Sequence, residues 1–379
     1  MSRTLAAHLG GAAGAVALVG IVVIFVWYCL WRSRSVSRTS ETNSSEPSQA
    51  GQGIELPFHG GVSYPPGFQG ARHFTLEELN VTTKNFSNIN MIGYGMFGEV
   101  YKGLLHDGMV AIKARTSAPS QEFIEEVHFL SSIRHRNLVS LLGYCQENGM
   151  QMLIYEYIPN GSVSTHLYGS GQVASARLEF KHRLSIAHGA AKGLGILHSL
   201  NPPLVHMNFK TANVLVDEDF TPKVADAGLQ SLLDRIDEAG PSSRLTIDDP
   251  FLDPEVKESG RFSVRSDVYS FGVFLLELVT GREARSDQSI IELAQKYEEP
   301  TNISTLVDQR MGSSFTSEGM SEFLRLIAWC VNPSSERRPP MNYVELELDR
   351  IYEKEMSLTT IMPEGSTTVT LGSQLFTTT

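Results

Sequence analysis

The stretch from residue 93 to residue 113 decides the fold: it begins with Gly-Tyr-Gly-Met-Phe-Gly at 93–98 and ends with Val-Ala-Ile-Lys at 110–113. The glycines fit the pattern G-x-G-x-x-G, which is weak alone because dinucleotide folds share it. In a dinucleotide fold the third glycine opens a helix. Here residues 99–102 continue as a strand, and the turn residues at 106–108 send the chain back as a hairpin. Because glycines let backbone amides cover phosphates and Lys113 adds a positive charge, the stretch predicts a phosphate-binding hairpin.

The composition is that of a globular protein with a sizeable core. Of 379 residues, 41 % are hydrophobic and 19 % are charged, which excludes wholesale disorder, a coiled coil and a collagen-like fibre. The net charge of −11 argues against a nucleic-acid partner, because binding phosphate backbones needs an excess of Lys and Arg. The three cysteines, Cys29, Cys145 and Cys330, are too few for a disulfide framework and contain no zinc-binding pair.

An uncharged stretch near the amino end predicts a membrane-spanning helix over residues 9–31. The 22 positions from Leu9 to Leu30 would span about 33 Å, enough to cross a bilayer core. Arginines follow at 32, 34 and 38, so the positive-inside rule places residues 32–379 in the cytosol and 1–8 outside. The alternative is a cleaved signal peptide, whose apolar region is roughly half as long. We therefore expect a single-pass protein of the plasma membrane, with small residues in the helix that would favour its association with another such helix.

The rest of the chain divides into three parts by composition. Residues 32–73 are rich in Ser, Thr, Gly and Pro, which is typical of a flexible linker. Residues 74–352 carry the regular apolar patterns, and residues 353–379 form a Ser/Thr-rich tail suited to modification. Within the body, Ser120 opens a helix. A second helix, from about Ser266 to Gly281, is apolar all round and is therefore expected to be buried.

Four further motifs resemble those of a protein kinase domain, most similar to the plant receptor-like kinase family. They are Phe-Thr-Leu-Glu-Glu-Leu at 74–79, Arg-His-Arg-Asn-Leu-Val at 134–139, Asp-Val-Tyr-Ser-Phe-Gly-Val at 267–273 and Arg-Arg-Pro at 337–339. The resemblance covers residues 74–352. It implies an α+β, two-lobed fold in which a small β-rich lobe precedes a larger helical lobe.

The resemblance also implies a role for individual residues in binding ATP with Mg²⁺. The residues that it assigns to the nucleotide are Ile92, Gly93, Tyr94, Gly95, Gly98, Val100, Ala111, Lys113, Glu126, Glu156 and Tyr157. In this assignment Glu126 pairs with Lys113, while Tyr155 is the gatekeeper before the adenine-contacting hinge. The metal ligands are Asn213 and Asp226, and the residues with structural roles are Glu255, Asp267 and Arg338. Glu255 is expected to pair with buried Arg338.

Three departures from the family pattern point to weak catalysis. The catalytic loop reads His-Met-Asn-Phe-Lys-Thr-Ala-Asn at 206–213, so the amide of Asn208 stands where the family has a proton-accepting carboxylate. An amide is not a base near neutral pH, and general-base catalysis is worth about 10²–10⁴ in rate. Met207 replaces the arginine that holds an activation-segment phosphate. Ala227 replaces the usual phenylalanine beside Asp226, which implies a repacked or looser activation segment.

These features predict a membrane-anchored pseudokinase that holds Mg·ATP and acts as a scaffold or allosteric regulator in kinase signalling. The expected partners are other membrane receptor-like kinases or cytosolic signalling proteins. The alternative is a slow Ser/Thr protein kinase that transfers the ATP γ-phosphate to protein hydroxyls, with Asn208 orienting the hydroxyl and Lys210 stabilising charge. A nucleotide-free interaction module is a third hypothesis.

Overall fold

A computed structural model describes residues 70–106, 108–169, 178–237, 246, 248–296, 306–312 and 315–359, together with two short strands near the carboxyl end. All of these residues belong to one compact unit, Tyr64–Thr379. Strands dominate the first part of the described chain and helices dominate the rest, as the sequence predicts for a two-lobed fold.

A mixed sheet of six strands forms the first lobe. Its strands are β1 (Arg72–His73), β2 (Met91–Tyr94), β3 (Glu99–Leu105), β4 (Gly108–Thr116), β5 (Leu141–Glu147) and β6 (Met150–Glu156). Their spatial order is β1-β5-β6-β4-β3-β2, and only the β1–β5 pair is parallel. Helix α1 (Leu76–Thr83) packs on the sheet, and buried Leu79 joins Ile112 and Ile154 in a small apolar cluster there.

The predicted hairpin of β3 and β4 is confirmed. Its antiparallel register places Val100 opposite Lys113 and Lys102 opposite Ala111. Because successive side chains on a strand point to opposite faces, this register fixes the face on which Lys113 lies. The hairpin therefore positions the lysine next to the glycine-rich turn that precedes β3.

Helices account for most of the second lobe. Helix α2 (Gln121–Ser132) packs against strand β5 of the sheet. The helices that follow are α3 (Val163–Tyr168), α4 (Phe180–Ser199), α5 (Leu229–Ile236), α6 (Pro254–Ser259), α7 (Val264–Thr280), α8 (Ser289–Gln295), α9 (Ser317–Cys330) and α10 (Met341–Thr359). A short hairpin of β7 (Val214–Val216) and β8 (Pro222–Val224) lies between α4 and α5. One continuous apolar core runs from α2 through α4, α7, α9 and α10.

The two helices predicted from local patterns are present. Helix α2 begins after Ser120, whose hydroxyl accepts the N–H of Phe123 at 3.2 Å, as expected of an N-cap. Helix α7 is capped by Ser263 and Ser266, which exchange bonds in a capping box, and it ends at Gly281 in the left-handed conformation. Nearly all of α7 is buried, which agrees with its uniformly apolar sequence.

The predicted membrane-spanning helix over 9–31 and the linker before residue 70 lie outside the described residues. Within the part of the chain that the structure describes, no helix is long and apolar enough to cross a bilayer. Even α7 has only nine residues between its charged groups Asp267 and Glu277, fewer than half of what a span needs.

Helix α10 continues to Thr359, inside the segment assigned to the tail. Glu355 explains this continuation, because its side chain is buried and accepts the N–H of Thr316 at 3.1 Å. Further along, β9 (Thr368–Leu371) and β10 (Gln374–Thr377) pair as an antiparallel hairpin.

Candidate nucleotide-binding cleft and catalytic loop

A cavity of about 400 Å³ lies between the sheet and the segment that carries the catalytic loop. Most residues assigned to the nucleotide or the metal line it: Ile92, Gly93, Tyr94, Gly95, Val100, Ala111, Lys113, Glu156, Tyr157, Asn213 and Asp226. Gly98 and Glu126 are not among the residues that line this cavity. The cleft therefore brings together strands β2 to β4, the end of β6 and the residues on either side of β7 and β8.

The glycine-rich turn is folded tightly against the sheet. Gly95 donates its N–H to the carbonyl of Gly98 at 2.8 Å. At Gly98, with φ +150°, a Cβ would lie 2.1 Å from the carbonyl oxygen of Ala114, so a residue other than glycine would force the strands apart. At the tip, the ring of Phe97 is buried and stacks on Phe123 of α2, with centroids 6.4 Å apart.

Lys113 pairs with the carboxylate of Asp226 rather than with Glu126, so the predicted Lys113–Glu126 ion pair is wrong for this conformation. The two side chains are 13 % and 9 % exposed, so both charges are largely removed from water. The Lys113 ammonium also lies 5.5 Å from the ring centroid of Tyr155, within the range of a cation–π contact.

Glu126 instead pairs with Arg235 of helix α5, at 2.9 Å. The physical reason is that α5 packs directly against α2 and brings its guanidinium to the Glu126 carboxylate. The glutamate is 5 % exposed and the arginine 61 %. Burial raises the pKa of the Glu126 carboxyl, with the Arg235 charge acting in the opposite direction.

Asn213 and Asp226 present oxygen atoms suited to a magnesium ion. The Asn213 amide donates its N–H to the carbonyl of Asn208 at 2.9 Å, which leaves its oxygen as an acceptor. Asp226 adopts φ +65°, an uncommon conformation for a residue other than glycine.

In the described parts of the chain, no cluster of three His, Cys, Asp or Glu residues could hold a metal alone. One carboxylate and one amide fit Mg²⁺, which commonly completes its shell with water and phosphate oxygens. A bound Mg·ATP would supply the transferable phosphoryl group and the charge that neutralises it.

Asp267 of helix α7 holds the catalytic loop in place by bonding to its backbone. Its buried carboxylate accepts the backbone N–H of His206 at 2.7 Å and that of Met207 at 2.9 Å. It also contacts His198 Nε2 at 2.9 Å. His206 bonds onward to the carbonyl of Ala225 at 2.9 Å. This arrangement links the catalytic loop to the segment that carries Asp226.

Asn208 and Lys210 line a second cavity of about 600 Å³, beside the glycine-rich turn and the activation segment. The loop that carries Asn208 is thus fixed in place, yet the side chain offered to this cavity is a carboxamide. A carboxamide can orient a hydroxyl by hydrogen bonding but cannot take its proton.

Arg338 pairs with Asp253, so the predicted Glu255–Arg338 pair is also wrong. The buried guanidinium donates Nη2 to Asp253 Oδ1 at 2.7 Å, and Nη1 bonds to the other oxygen. Asp253 caps α6 and accepts the N–H of Glu255. As a result, Glu255 lies in the first turn of the helix, on the exposed side. Its carboxylate accepts the N–H of Ser335 at 2.7 Å instead.

The Glu156 carboxylate bonds to other protein groups rather than being free to contact a nucleotide. It accepts the backbone N–H of Ser140 at 2.8 Å and pairs with Lys223 at 3.2 Å. Tyr157 donates its backbone N–H to the carbonyl of Met109 at 3.3 Å. At this end of β6, therefore, these contacts tie the chain to neighbouring segments.

Two arginines that sequence reasoning missed border the site. Arg235 reaches Glu126, and Arg115 donates both bonds of one nitrogen to the Asp237 carboxylate at 3.0 and 3.1 Å. A signal for Arg115 was present, since it lies two residues after Lys113 and therefore on the same face of β4. The sequence gives no comparable signal for Arg235, because the segment after residue 228 does not show which carboxylate this arginine will contact.

The comparisons with known proteins identify the family. A family described as protein tyrosine and serine/threonine kinase matches residues 86–348. The chain belongs to this family. Strand β1 and helix α1 precede the matched region.

Plant receptor-like kinases are among the relatives, as predicted. The Arabidopsis thaliana proline-rich receptor-like protein kinase PERK13 is 41 % identical over 295 residues, which cover 74 % of this chain and 41 % of that protein. The probable serine/threonine-protein kinase PBL21 of the same plant is 36 % identical over 311 residues, covering 79 % and 81 %. This chain thus spans less than half of PERK13 and most of PBL21.

A solved structure shares the fold. It is described as the pseudokinase domain of BIR2, an immune regulator of the RLK/Pelle family. The two structures match with a TM-score of 0.63 at 31 % identity, over 74 % of this chain and 86 % of that one. The two-lobed kinase fold is therefore confirmed.

The location predicted from the sequence is corrected by these findings. PBL21 and PBL22, matched over 81 % and 85 % of their lengths, are both named as serine/threonine-protein kinases without a receptor designation. These two relatives contradict the predicted location as a single-pass protein of the plasma membrane, and we withdraw that location.

Proposed function

We propose that this kinase-family protein binds a magnesium nucleotide, transfers phosphate poorly and acts as a regulator of other signalling proteins. The observation that carries the proposal is the position of Asn208. Its loop is held by the bonds from His206 and Met207 to Asp267, and Asn208 faces the cavity in which a hydroxyl would react. The scaffold for catalysis is therefore present without the proton acceptor.

The expected loss of rate follows from this replacement. A positioned general base contributes about 10²–10⁴ in rate, or roughly 3–5 kcal/mol of barrier. Since phosphoryl transfer depends mostly on positioning and charge stabilisation, Lys210 and the groups around Asp226 would sustain a trace of activity. The slow Ser/Thr kinase is thus the same proposal with this trace of activity retained.

Nucleotide binding is supported by the side chains that the cleft retains. Lys113, Asn213 and Asp226 supply one cation and two oxygen ligands around a cavity of about 400 Å³. Nothing in this set requires the missing base. The site is therefore suited to hold a nucleotide without consuming it.

The regulatory role and the partners rest on similarity. BIR2 is described as a pseudokinase domain and an immune regulator, and the relatives include receptor-like and other protein kinases. We propose that the partners of this chain are likewise protein kinases, bound through surfaces whose arrangement changes with the nucleotide.

The test uses the purified full-length chain. Thermal unfolding with increasing Mg·ATP should show a rising midpoint for the natural protein and none for Lys113→Met, which lacks the phosphate-binding cation. Transfer of labelled γ-phosphate to a generic protein substrate should be near background and should rise at least tenfold in Asn208→Asp. A flat thermal titration would support the nucleotide-free module. Transfer by the natural protein at rates typical of kinases, abolished by Lys113→Met, would defeat the pseudokinase proposal.

A further inference from the structure

Two hydrogen-bond donors face the second cavity without a protein partner. The cavity measures about 600 Å³, and its lining includes Asn208 and Lys210. Within the part of the chain that the structure describes, the Asn208 side-chain amide and the Lys210 ammonium make no hydrogen bond or ion pair. The lysine is nevertheless partly buried. Because removing an ammonium from water is unfavourable unless a counterion replaces the lost hydration, Lys210 favours an anion in this cavity.

Two carboxylates also line the cavity, but each has an arginine beside it. Asp249 lies 3.3 Å from Nη2 of Arg285, which is itself a lining residue. The carboxylate of Asp253 is paired with the buried Arg338. Once these two pairs are set aside, the charge that remains on the lining is the positive charge of Lys210.

The carboxamide of Asn208 changes which ligands this position accepts. A carboxylate, as in the family pattern, would take the proton of a hydroxyl but would repel a phosphate group by like charge. An amide carries no charge and presents two N–H donors. The replacement that removes the proton acceptor therefore makes the position compatible with a phosphate group.

The loop that carries both donors is held in place by the fold. Asp267 accepts the backbone N–H groups of His206 and Met207. Further along the loop, the Asn213 amide donates to the carbonyl of Asn208 at 2.9 Å. Because these contacts fix the loop independently of a ligand, binding costs little conformational freedom there.

We propose that this cavity binds a phosphorylated Ser or Thr side chain of a partner protein, with Lys210 as its counterion and the Asn208 amide as a further donor. Such a side chain carries a charge of about −1.5 to −2 and three acceptor oxygens. The side chains of Met96, Phe251 and Phe262 also line the cavity and offer apolar surface to the rest of the bound segment. The proposal rests on the regulatory role proposed above and names the chemistry by which the chain recognises its partner.

The first measurement is fluorescence anisotropy with the full-length chain and a short labelled peptide in which apolar residues flank one phosphothreonine. This peptide should bind at least about tenfold more tightly than the same peptide with threonine, because charge-assisted hydrogen bonds supply most of its affinity. A third peptide, with glutamate at that position, should bind more weakly than the phosphopeptide, since a carboxylate has less charge and one acceptor oxygen fewer.

The second measurement compares variants of the cavity. Lys210→Met should weaken the phosphopeptide by about tenfold or more, whereas Lys210→Arg keeps the charge and should retain most of the affinity. Asn208→Asp should also weaken it, although the same substitution is expected to raise phosphoryl transfer. The matched control is Arg325→Ala, an exposed arginine on helix α9 outside the cavity, which should leave the affinity unchanged.

A third variant distinguishes this cavity from the nucleotide cleft. Lys113 lines the cleft and is not among the residues that line the cavity of Asn208. Lys113→Met should therefore leave phosphopeptide binding unchanged. Loss of binding in Lys113→Met, with Lys210→Met unaffected, would mean that the phosphate lies in the nucleotide cleft and would overturn the proposal.

Three other outcomes overturn the phosphate site and leave the proposed nucleotide binding and weak transfer standing. They are equal binding of the phosphothreonine and threonine peptides, equal binding of the glutamate peptide, and tighter phosphopeptide binding by Asn208→Asp. Conversely, efficient phosphoryl transfer by the natural protein would defeat the pseudokinase proposal, yet a phosphopeptide affinity that depends on Lys210 would stand.

Discussion

Arg338 and Asp253 form a buried ion pair that ties the end of the activation segment to the residues before α10. The remaining guanidinium donors reach the carbonyls of Asn332 at 2.7 Å, Pro333 at 3.0 Å and Arg265 at 3.0 Å. Each of the three guanidinium nitrogens therefore has hydrogen-bond acceptors within the fold. Only one carboxylate, that of Asp253, neutralises this buried charge in the described contacts, so its removal would leave the charge without a counterion.

Replacing Asp253 should destabilise the protein far more than replacing Glu255, two residues later. In Asp253→Asn the buried Arg338 charge loses its counterion, and breaking a buried pair in this way costs about 3–5 kcal/mol of unfolding free energy. Glu255→Gln alters an exposed side chain and should cost less than about 1 kcal/mol. Urea unfolding of both variants measures the difference. Equal losses, or a larger loss for Glu255→Gln, would restore the pairing expected from the sequence.

Loss of the hydrogen bonds that Asp267 accepts from the catalytic loop should affect both amide exchange in that loop and the stability of the whole protein. Asp267→Asn substitutes one acceptor oxygen by a donor N–H₂ group, so one of the N–H groups of His206 and Met207 is left unpaired in a buried place. This should lower the unfolding free energy by about 1–3 kcal/mol and speed amide exchange at residues 206 and 207.

The matched control is Asp349→Asn on α10, where a 47 % exposed carboxylate lies 3.4 Å from His188. It should change stability by less than about 1 kcal/mol. Unchanged exchange at 206 and 207 in Asp267→Asn would mean that other contacts hold the catalytic loop.

Restoring the family's phenylalanine at position 227 should destabilise this chain. The cavity next to Ala227 measures only about 10 Å³ and is bordered by Leu130, Leu141 and Tyr155, room for one water at most. A Cβ on the adjacent Gly228 would already lie 2.3 Å from Leu130 Cδ2. Ala227→Phe should therefore cost about 1–3 kcal/mol through overpacking.

A double variant tests whether Leu130 fills the space that Ala227 left. Leu130→Ala alone should also destabilise, since it empties a buried position. The double variant with Ala227→Phe should lose less unfolding free energy than the two single variants lose together, by a coupling energy of about 0.5–3 kcal/mol. Strict additivity, or stabilisation by Ala227→Phe alone, would show that Leu130 and Ala227 do not share this space.

The features that could be predicted from the sequence are those fixed by neighbouring residues. The β3–β4 hairpin follows from turn residues at 106–108, and α2 and α7 follow from their caps and apolar spacing. Asn208, Lys210 and the lining of the cleft could be placed because they lie in contiguous motifs.

The ion-pair partners could not be predicted, because each depends on how two distant segments pack. Asp253 and Glu255 are equally plausible partners for Arg338 in the sequence. Only the turn that makes Asp253 the cap of α6 decides which carboxylate faces inward. Likewise, Glu126 receives Arg235 rather than Lys113 because α5 packs on α2. The sequence of 229–236 shows an apolar spacing typical of a helix, but not the surface against which the helix lies.

A buried carboxyl on α7 predicts a specific dependence of stability on pH. Glu277 is fully buried and accepts bonds from Thr211, from Tyr168 at 3.0 Å and from the N–H of Ala284 at 2.8 Å. Burial nevertheless raises the pKa of Glu277 above its ordinary value of 4.5. Below pH 4.5 the carboxyl is protonated in both states. As the pH rises past that value, the unfolded chain releases this proton before the folded chain does. Up to the raised pKa, the folded state therefore binds more protons than the unfolded state, and the free energy of unfolding falls as the pH rises.

Glu277→Gln removes this titration while keeping an acceptor oxygen. The unfolding free energy of the natural protein minus that of Glu277→Gln should therefore decrease from pH 4 toward pH 8, with a slope of at most about 1.4 kcal/mol per pH unit. The control is Glu292→Gln on α8, where the side chain is 73 % exposed and the same difference should stay nearly level. Because the comparison subtracts all other carboxylates, a difference that is flat or rising for Glu277→Gln would mean that its hydrogen bonds outweigh burial and hold the group ionised in the core.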